Sequence, residues 1–365
     1  MAETIRPSWA AEPLGDILDG TRKPTIPKLM RRSDGIHLLY PGKVHSFHGE
    51  SESAKSLIAQ AESLRTINAG GTVLYLDFES DAVSVVARLL NMGASPDALR
   101  RRFRYVRPEV DPDAVGEAEK DAFSRHMSRP YDLIVIDGVT AAFDVYGLNS
   151  MDNGDTMKWG RKLPLKLASE TGAAVLLIDH VTKSSDGRGR FAIGAQMKMS
   201  FLTGAAFTVK MSQPLGVGLM GKVDIRIGKD REGLVRSHST DFRSSDQTAA
   251  VAVAVFDSTA PAKLRYRLEP PSGGTEIVSP SEGMPKTMRS VLEALLHADG
   301  WLGLKAICQS PVDKGDKPLA ASTTTRHLVK LVGSGHVAEA KAHTPENRTK
   351  ATRYRITDAG RALTT

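Results

Sequence analysis

Residues 49–56, Gly49-Glu50-Ser51-Glu52-Ser53-Ala54-Lys55-Ser56, nearly spell a phosphate-binding loop. That pattern is Gly, four residues, Gly, Lys, then Ser or Thr. Gly49, Lys55 and Ser56 stand where it needs them, and Ala54 replaces its second glycine. In such a loop, backbone N–H groups and the following helix N-terminus face phosphates, where the helix dipole favours negative charge. Residues 49 to 57, ending on Leu57, would wrap the phosphates of ATP. Lys55 would reach the β and γ phosphates, and Ser56 would offer its hydroxyl to Mg2+. Alanine at position 54 is compatible with helical backbone. At positive φ it costs about 1 kcal/mol or more. The plain alternative is an exposed polar turn with one lysine.

Further residues follow in an order that suits the same chemistry. YDLIVIDG (131–138) ends an apolar run on Asp137, a carboxylate placed to hold Mg2+ directly or through water. LYLDFES places Asp77 and Glu79 at another strand end, two apart and so on one face. Glu79 is the preferred base to polarise an attacking water, with Asp77 second. LLIDHVTKSS ends on Asp179 and His180. His180 could sense the γ-phosphate or be a satisfied strand-end histidine, and no His or Cys at ligand spacing makes it a metal ligand. GRGRFAIGAQMK (187–198) is Gly-rich and basic, so Arg188, Arg190 and Lys198 are candidate contacts to phosphates or to a nucleic-acid strand. VDIRIGKDREG (223–233) puts Lys229 and Arg231 after a strand, where such a pair can project into a neighbour's site and stabilise a transferring phosphoryl group. Each has a plainer reading: a turn, a helix cap, a solvated loop or a charged hairpin.

These residues need a scaffold of strands and helices. Residues 1–35 read as an irregular arm. Residues 36–269 alternate short apolar runs (44–49, 72–78, 131–138, 173–180) with helical or loop stretches, the pattern of a mostly parallel α/β sheet. In 82–92 the apolar spacing predicts a helix packed on the sheet. FTVKM (207–211) and VDIRIGKD (223–230) read as later strands, with strand-like sequence to about 268. Residues 270–283 are rich in Pro, Gly and Ser, the composition of a linker.

From 284 the pattern changes. Met288, Val291, Leu292 and Leu295 share one helical face. WLGLKAIC (301–308) predicts a second short helix, and TTTRHLVKLVG (323–333) a third, with Ser322 as N-cap and Gly333 as stop. Residues 336–357 read as strand, polar loop, strand, and ITDAGRAL (356–363) closes the chain. Of the net charge of +7, residues 284–365 carry +6 and the first 283 carry +1. Such a concentration on a small domain points to a nucleic-acid partner or to a basic solvated surface.

The remaining bulk properties are ordinary: 41% hydrophobic and 25% charged. One cysteine, Cys308, excludes an internal disulfide framework and a cysteine zinc site. No apolar run approaches a membrane span and the first residues lack a signal pattern, so the expectation is a cytoplasmic protein.

Together GESESAKS, LDFES, LIVIDG, IDHVTK with its basic Gly-rich loop, and GKDREG resemble the RecA-like ATPases over residues 36–235. They are similar to the hexameric helicase branch, the plasmid RepA helicases and the ATPase domain of DnaB-type helicases. That resemblance implies a RecA-like P-loop core. Lys55 and Ser56 match the loop lysine and magnesium ligand, Glu79 the catalytic glutamate, and Asp137 the Walker B aspartate. His180 matches the switch residue, and Lys229 with Arg231 the finger pair acting in trans. It also implies a homo-oligomeric ring, usually a hexamer, with single-stranded DNA in its centre. Ala54 departs from the pattern, and no DnaB-type N-terminal helical domain is recognisable. The last 80 or so residues resemble a winged helix-turn-helix domain. There Arg326 and Lys330 would lie on the recognition helix, and Arg348, Lys350, Arg353 and Arg355 on the wing, where they could hold duplex phosphates. Such domains also serve as protein-interaction modules.

Three functions fit. The first is an ATP-hydrolysing, DNA-stimulated motor. The second is a nucleotide-gated DNA-binding or loading protein with slow hydrolysis. The third is a structural relative with a dead site, against which Lys55 and Glu79 both stand.

Overall fold

Four apolar runs bounded by polar turns become neighbouring parallel strands in the computed structural model. It describes residues 9–180, 197–260, 263–271, 286–298, 300–310, 318–333, 335–344 and 347–357. Contacts divide the chain into two units, Met1–Ile277 and Val278–Thr365.

The first unit opens with a short helix α1 (Gly15–Leu18) and a hairpin, β1 (Leu29–Arg31) with β2 (His37–Leu39). The arm read over 1–35 thus ends in a strand paired with the body. The central elements are β3 (Val44–Gly49), α2 (Lys55–Asn68), β4 (Val73–Asp77), α3 (Ala82–Asn91), α4 (Pro96–Arg102), β5 (Phe103–Val106), α5 (Glu117–Met127) and β6 (Leu133–Asp137). Next come α6 (Val139–Val145), α7 (Asn153–Lys162), α8 (Pro164–Thr171), β7 (Ala174–His180), α9 (Met197–Phe201), β8 (Ala205–Gln213) and β9 (Met220–Asp230). The unit closes with β10 (Thr240–Arg243), β11 (Thr248–Asp257) and β12 (Arg265–Glu269).

One 10-stranded sheet runs in the order β10-β11-β9-β8-β3-β7-β6-β4-β5, with β12 on β11. Pairing is parallel from β8 through β5 and antiparallel from β8 outward to β10. The fold class is α/β with a mostly parallel sheet, as expected. Period-2 alternation decides the faces. Val73 and Tyr75 point into one core with Ile58 and Leu64 of α2, and Leu74 and Leu76 into the other with Phe143, Trp159 and Leu167. Helices therefore cover both faces, which is why the runs are apolar throughout. In α3 only Val85 and Leu89 are buried, while Val83 and Leu90 face out. The edge strand β5, inside RRFRYVR, has no apolar run to announce it.

His45 illustrates how tightly the sheet is filled. It is fully buried on β3, stacked on Tyr40, and its Nε2 accepts the Tyr40 N–H at 3.0 Å. Nδ1 lies 3.3 Å from the Val175 carbonyl, so the neutral Nδ1–H tautomer satisfies both nitrogens. Gly204 leaves room for the ring, since a Cβ there would collide with it. Burial pushes its pKa down to about 3. A folded-state value below the unfolded one means that the unfolded chain binds the proton first. The stability His45 contributes is therefore present above about pH 6.5 and lost as pH falls toward 3, at up to about 1.4 kcal/mol per unit. Its ring resonances are expected not to shift between about pH 8 and about pH 5. An NMR titration with a midpoint near the free-histidine value would contradict this packing.

The second unit carries α10 (Lys286–Ala298), β13 (Leu302–Gly303), α11 (Leu304–Gln309), α12 (Ala321–Gly333), β14 (Val337–Thr344) and β15 (Asn347–Ile356). Its three-stranded sheet has the order β13-β15-β14, and Val291, Leu295, Ile307, Leu328 and Leu331 form its core. Three details depart from the sequence reading. Trp301-Leu302-Gly303 precede α11, with Leu302–Gly303 a strand on β15 rather than helix. Ser322 lies inside α12, so it does not cap it. Arg348, Lys350, Arg353 and Arg355, read as wing-loop residues, all lie on β15. Residues 358–363 lie outside the described residues, as do most of the linker read over 270–283. Among the described residues no helix is long and apolar enough to cross a membrane.

Candidate functional site

The C-terminal ends of four adjacent parallel strands make one rim. Gly49 of β3 sits opposite His180 of β7, and Asp137 of β6 opposite Asp77 of β4. The sheet order thus places the loop, the histidine and both aspartates side by side.

Gly49 ends β3 so close to β8 that a Cβ would collide with the Val209 carbonyl oxygen. Residues 50–54 then turn without regular structure into α2, whose first residue is Lys55. Its ammonium is buried and donates to the carbonyls of Gly49 at 3.0 Å and Glu50 at 2.7 Å, and to Ser53 Oγ at 3.3 Å. Burial lowers its pKa, opposed by Asp137, Asp179, Glu79 and Glu50. The lysine is held inside the loop, within the field of four carboxylates.

Ala54 answers the question its sequence raised. It is the N-cap of α2 with φ 67° and ψ 18°, the left-handed region, and Glu52 two residues earlier has φ 62°. Glycine adopts this backbone freely and alanine does not. Ala54→Gly is expected to stabilise the first unit by about 1 kcal/mol, read in denaturant unfolding, without weakening nucleotide binding. A loss of stability would mean that the Ala54 methyl contributes more by packing than its backbone costs.

Ser56 Oγ donates to Asp137 Oδ1 at 2.9 Å, which joins the two proposed magnesium ligands directly. The other oxygen, Oδ2, accepts the Tyr75 hydroxyl, which Gln60 also reaches at 3.3 Å. Burial pushes Asp137 up to about 6, against its hydrogen bonds from Tyr75 and Ser56. A buried carboxylate whose pKa burial raises even with the Lys55 ammonium in its field fits a further cation beside it. A hydroxyl and a carboxylate are hard oxygen donors, the class Mg2+ takes while keeping several waters. Among the described residues there is no cluster of three or more His, Cys, Asp or Glu able to hold a metal.

The two acids of LDFES have different tasks. Asp77 is fully buried: Oδ1 accepts the backbone N–H of Glu79 at 3.0 Å and of Ser80 at 2.8 Å, and Oδ2 accepts the Tyr105 hydroxyl at 2.9 Å. It shapes the turn and is a positioning residue. Glu79 is half-exposed over the rim, and Gly138 makes room for it, since a Cβ at Gly138 would collide with Glu79 Cγ. Gly138 has φ 93°, so glycine is required twice over. His180 Nε2 lies 3.6 Å from Glu79 Oε1 and holds that carboxyl below its usual range, so Glu79 is ionised and able to act as a base. His180 Nδ1 is buried with no hydrogen-bond partner among the described residues.

Other expected contacts fall elsewhere. Lys198 is buried, and its ammonium donates to Asp179 Oδ2 at 2.8 Å while lying 5.5 Å over the Phe143 ring. It is not an exposed basic contact, because desolvation of a lysine requires such a partner. Arg188 and Arg190 lie outside the described residues. Lys229 donates to the carbonyls of Met199 and Leu202, and burial pushes it down to about 8. Arg231 is exposed just past β9. In the second unit Arg326 and Lys330 are exposed on one face of α12, Arg353 is exposed on β15, and Arg355 lies 5.0 Å over the Trp301 ring. Sequence reading missed Tyr75, Tyr105 and Gly138. Of these only Gly138, directly after a strand-end aspartate, carries a signal in the sequence.

No curated protein matches the chain. The family model described as AAA domain matches residues 15–186, a span holding the loop, Glu79, Asp137 and His180. A domain of this kind binds nucleotide, usually with Mg2+. Residues 15–186 are thus similar to a P-loop ATPase-type domain.

Proposed function

We propose that this chain is an ATP-hydrolysing, DNA-stimulated motor of the RecA-like hexameric helicase branch, a helicase or a related replication or recombination ATPase of phage or plasmid kind. The observation that supports it is the single rim that carries Lys55, Ser56, Asp137, Glu79 and His180 on neighbouring strand ends. In this reading Lys55 leaves its loop carbonyls for the β and γ phosphates. Ser56 and Asp137 would hold Mg2+, which would supply neutralisation of charge on the phosphate oxygens. Glu79, kept ionised by His180, orients and deprotonates the attacking water. His180 reports that state to the segment that follows it, where Arg188 and Arg190 would meet single-stranded DNA.

Ring assembly, with hexamers as the expected size, follows from the same resemblance. Arg231 is exposed, as a residue reaching a neighbour's phosphates must be, and Lys229 braces its strand end. The order helix, strand, helix, helix, strand, strand in the second unit supports a winged helix, with α12 as recognition helix. Arg326, Lys330, Arg353 and the β15 residues Arg348 and Lys350 would then serve duplex phosphates.

A second reading, a nucleotide-gated DNA loader with slow hydrolysis, is favoured by the left-handed backbone that Ala54 must adopt. Steady-state ATPase with increasing single-stranded DNA separates the two. The motor predicts at least a tenfold rise in turnover. Slow, DNA-independent turnover with tight ATP binding would favour the loader.

A further inference from the structure

The N-terminal ends of the parallel strands, opposite the phosphate loop, form a second opening in the first unit. A groove of about 540 Å3 lies there between the β1–β2 hairpin and the end of α2, lined among others by Lys28, Arg31, His37, Arg65, Tyr131 and Asp132. Its acids are already engaged. Asp132 Oδ2 accepts the Thr72 N–H at 2.7 Å, and buried Glu62 takes Arg65 at 2.8 Å and the Tyr266 hydroxyl at 2.7 Å. Its cations are less so: Lys28 and Arg31 are exposed with no acidic partner within ion-pair distance among the described residues.

The positive charge continues beyond the groove. Arg102 donates to the Gly70 carbonyl, beside Gly71 of the groove wall. Arg104 donates to the Arg100 carbonyl at 2.9 Å, and Arg104 and Arg129 act on the Tyr131 hydroxyl from close by. Arg129, Arg125 and Arg104 also help burial to hold His126 below its ordinary range. Edge protection alone does not account for this band. Strand β5 is a sheet edge, where charged side chains block pairing. Arg31, Lys28 and Arg129 lie off that strand and still join the band.

We propose that this groove and its arginine band hold the phosphate backbone of a single-stranded nucleic acid. Guanidinium groups with no acidic partner among the described residues, such as those of Arg31, Arg104 and Arg129, suit phosphate oxygens. The feature is a slot between a hairpin and a helix end, with no helix presented to enter a duplex groove, which favours a single strand. This surface is separate from the strand-end rim, so it adds a contact for nucleic acid that the nucleotide reading does not require.

The test is fluorescence anisotropy of the full chain with labelled oligo-dT and oligo-U across a salt series. Samples are wild type, Arg31→Ala/Arg104→Ala/Arg129→Ala, and the charge-keeping Lys version of the same triple. ATP turnover without nucleic acid is measured on the same samples, so that the phosphate loop is read independently. The Ala triple is expected to bind at least tenfold more weakly at moderate salt. Its log–log salt slope should be shallower by about 2, since each single-strand phosphate contact contributes about 0.7. The Lys triple should stay within about threefold of wild type. Unchanged affinity and slope in the Ala triple would overturn the proposal. So would a wild type that hydrolyses ATP yet binds neither oligonucleotide, an outcome that leaves the ATPase reading standing.

Discussion

Glu79→Gln is expected to cut ATP turnover by at least about a hundredfold while leaving ATP binding within about threefold of wild type. The side chain keeps its size and the Gly138 recess still accommodates it. Glu79 acts on the loop lysine through its charge alone: among the described residues Lys55 makes its hydrogen bonds to Gly49, Glu50 and Ser53. What is lost is a base whose ionised form His180 stabilises from 3.6 Å. Single-turnover hydrolysis alongside binding of a fluorescent ATP analogue checks both halves. A glutamine variant that hydrolyses within about threefold of wild type would remove Glu79 from the catalytic role. Asp77 would not then replace it, because both its oxygens are committed to the turn and to Tyr105.

Lys198→Met has the second large effect, on stability. Asp179 and Lys198 form an ion pair with side chains only 4% and 6% exposed. Removing one member leaves a buried carboxylate uncompensated, which costs about 3–5 kcal/mol. Methionine keeps apolar contact with Phe143, so the loss is electrostatic rather than a cavity. The double variant Asp179→Leu/Lys198→Met should recover most of that loss, since apolar replacement of a whole buried pair is often neutral. Denaturant unfolding of wild type, both single variants and the double variant forms the cycle. A Lys198→Met protein within 1 kcal/mol of wild type would show that the pair is not the anchor described. The same pair should matter at the rim, because Asp179 Oδ1 accepts the His180 N–H at 2.8 Å and so helps set the histidine beside Glu79.

Much of the rim was legible in the sequence, for a physical reason. A buried parallel strand needs an uninterrupted apolar run, and its C-terminal end must turn, so a polar residue closing such a run lands at the rim. That logic located Gly49, Asp77, Asp137 and His180 from local sequence. It could not locate β5, whose four residues lie among arginines because it is a sheet edge. It also misplaced Lys198. Glycine and arginine around a lysine look solvated, and only the long-range partner Asp179, on another element, shows that the ammonium is buried. Tyr75 and Tyr105 were invisible for a similar reason. Their rings read as core, and their hydroxyls matter only because strand order brings β4 next to β6 and β5. Ala54 was legible as a departure but not as strain, since sequence does not reveal the sign of φ.

The most direct test of the central claim is steady-state ATP hydrolysis by the full chain, with Mg2+ and with the metal chelated, for wild type and Lys55→Ala. The lysine sits at the start of α2 inside the loop, and Ser56 and Asp137 stand beside it as a ready pair of oxygen donors. The geometry predicts magnesium-dependent turnover in the wild type, falling at least about a hundredfold in Lys55→Ala and likewise on chelation. Turnover that survives the loss of Lys55, or that ignores magnesium, would contradict a working phosphate loop at residues 49–56.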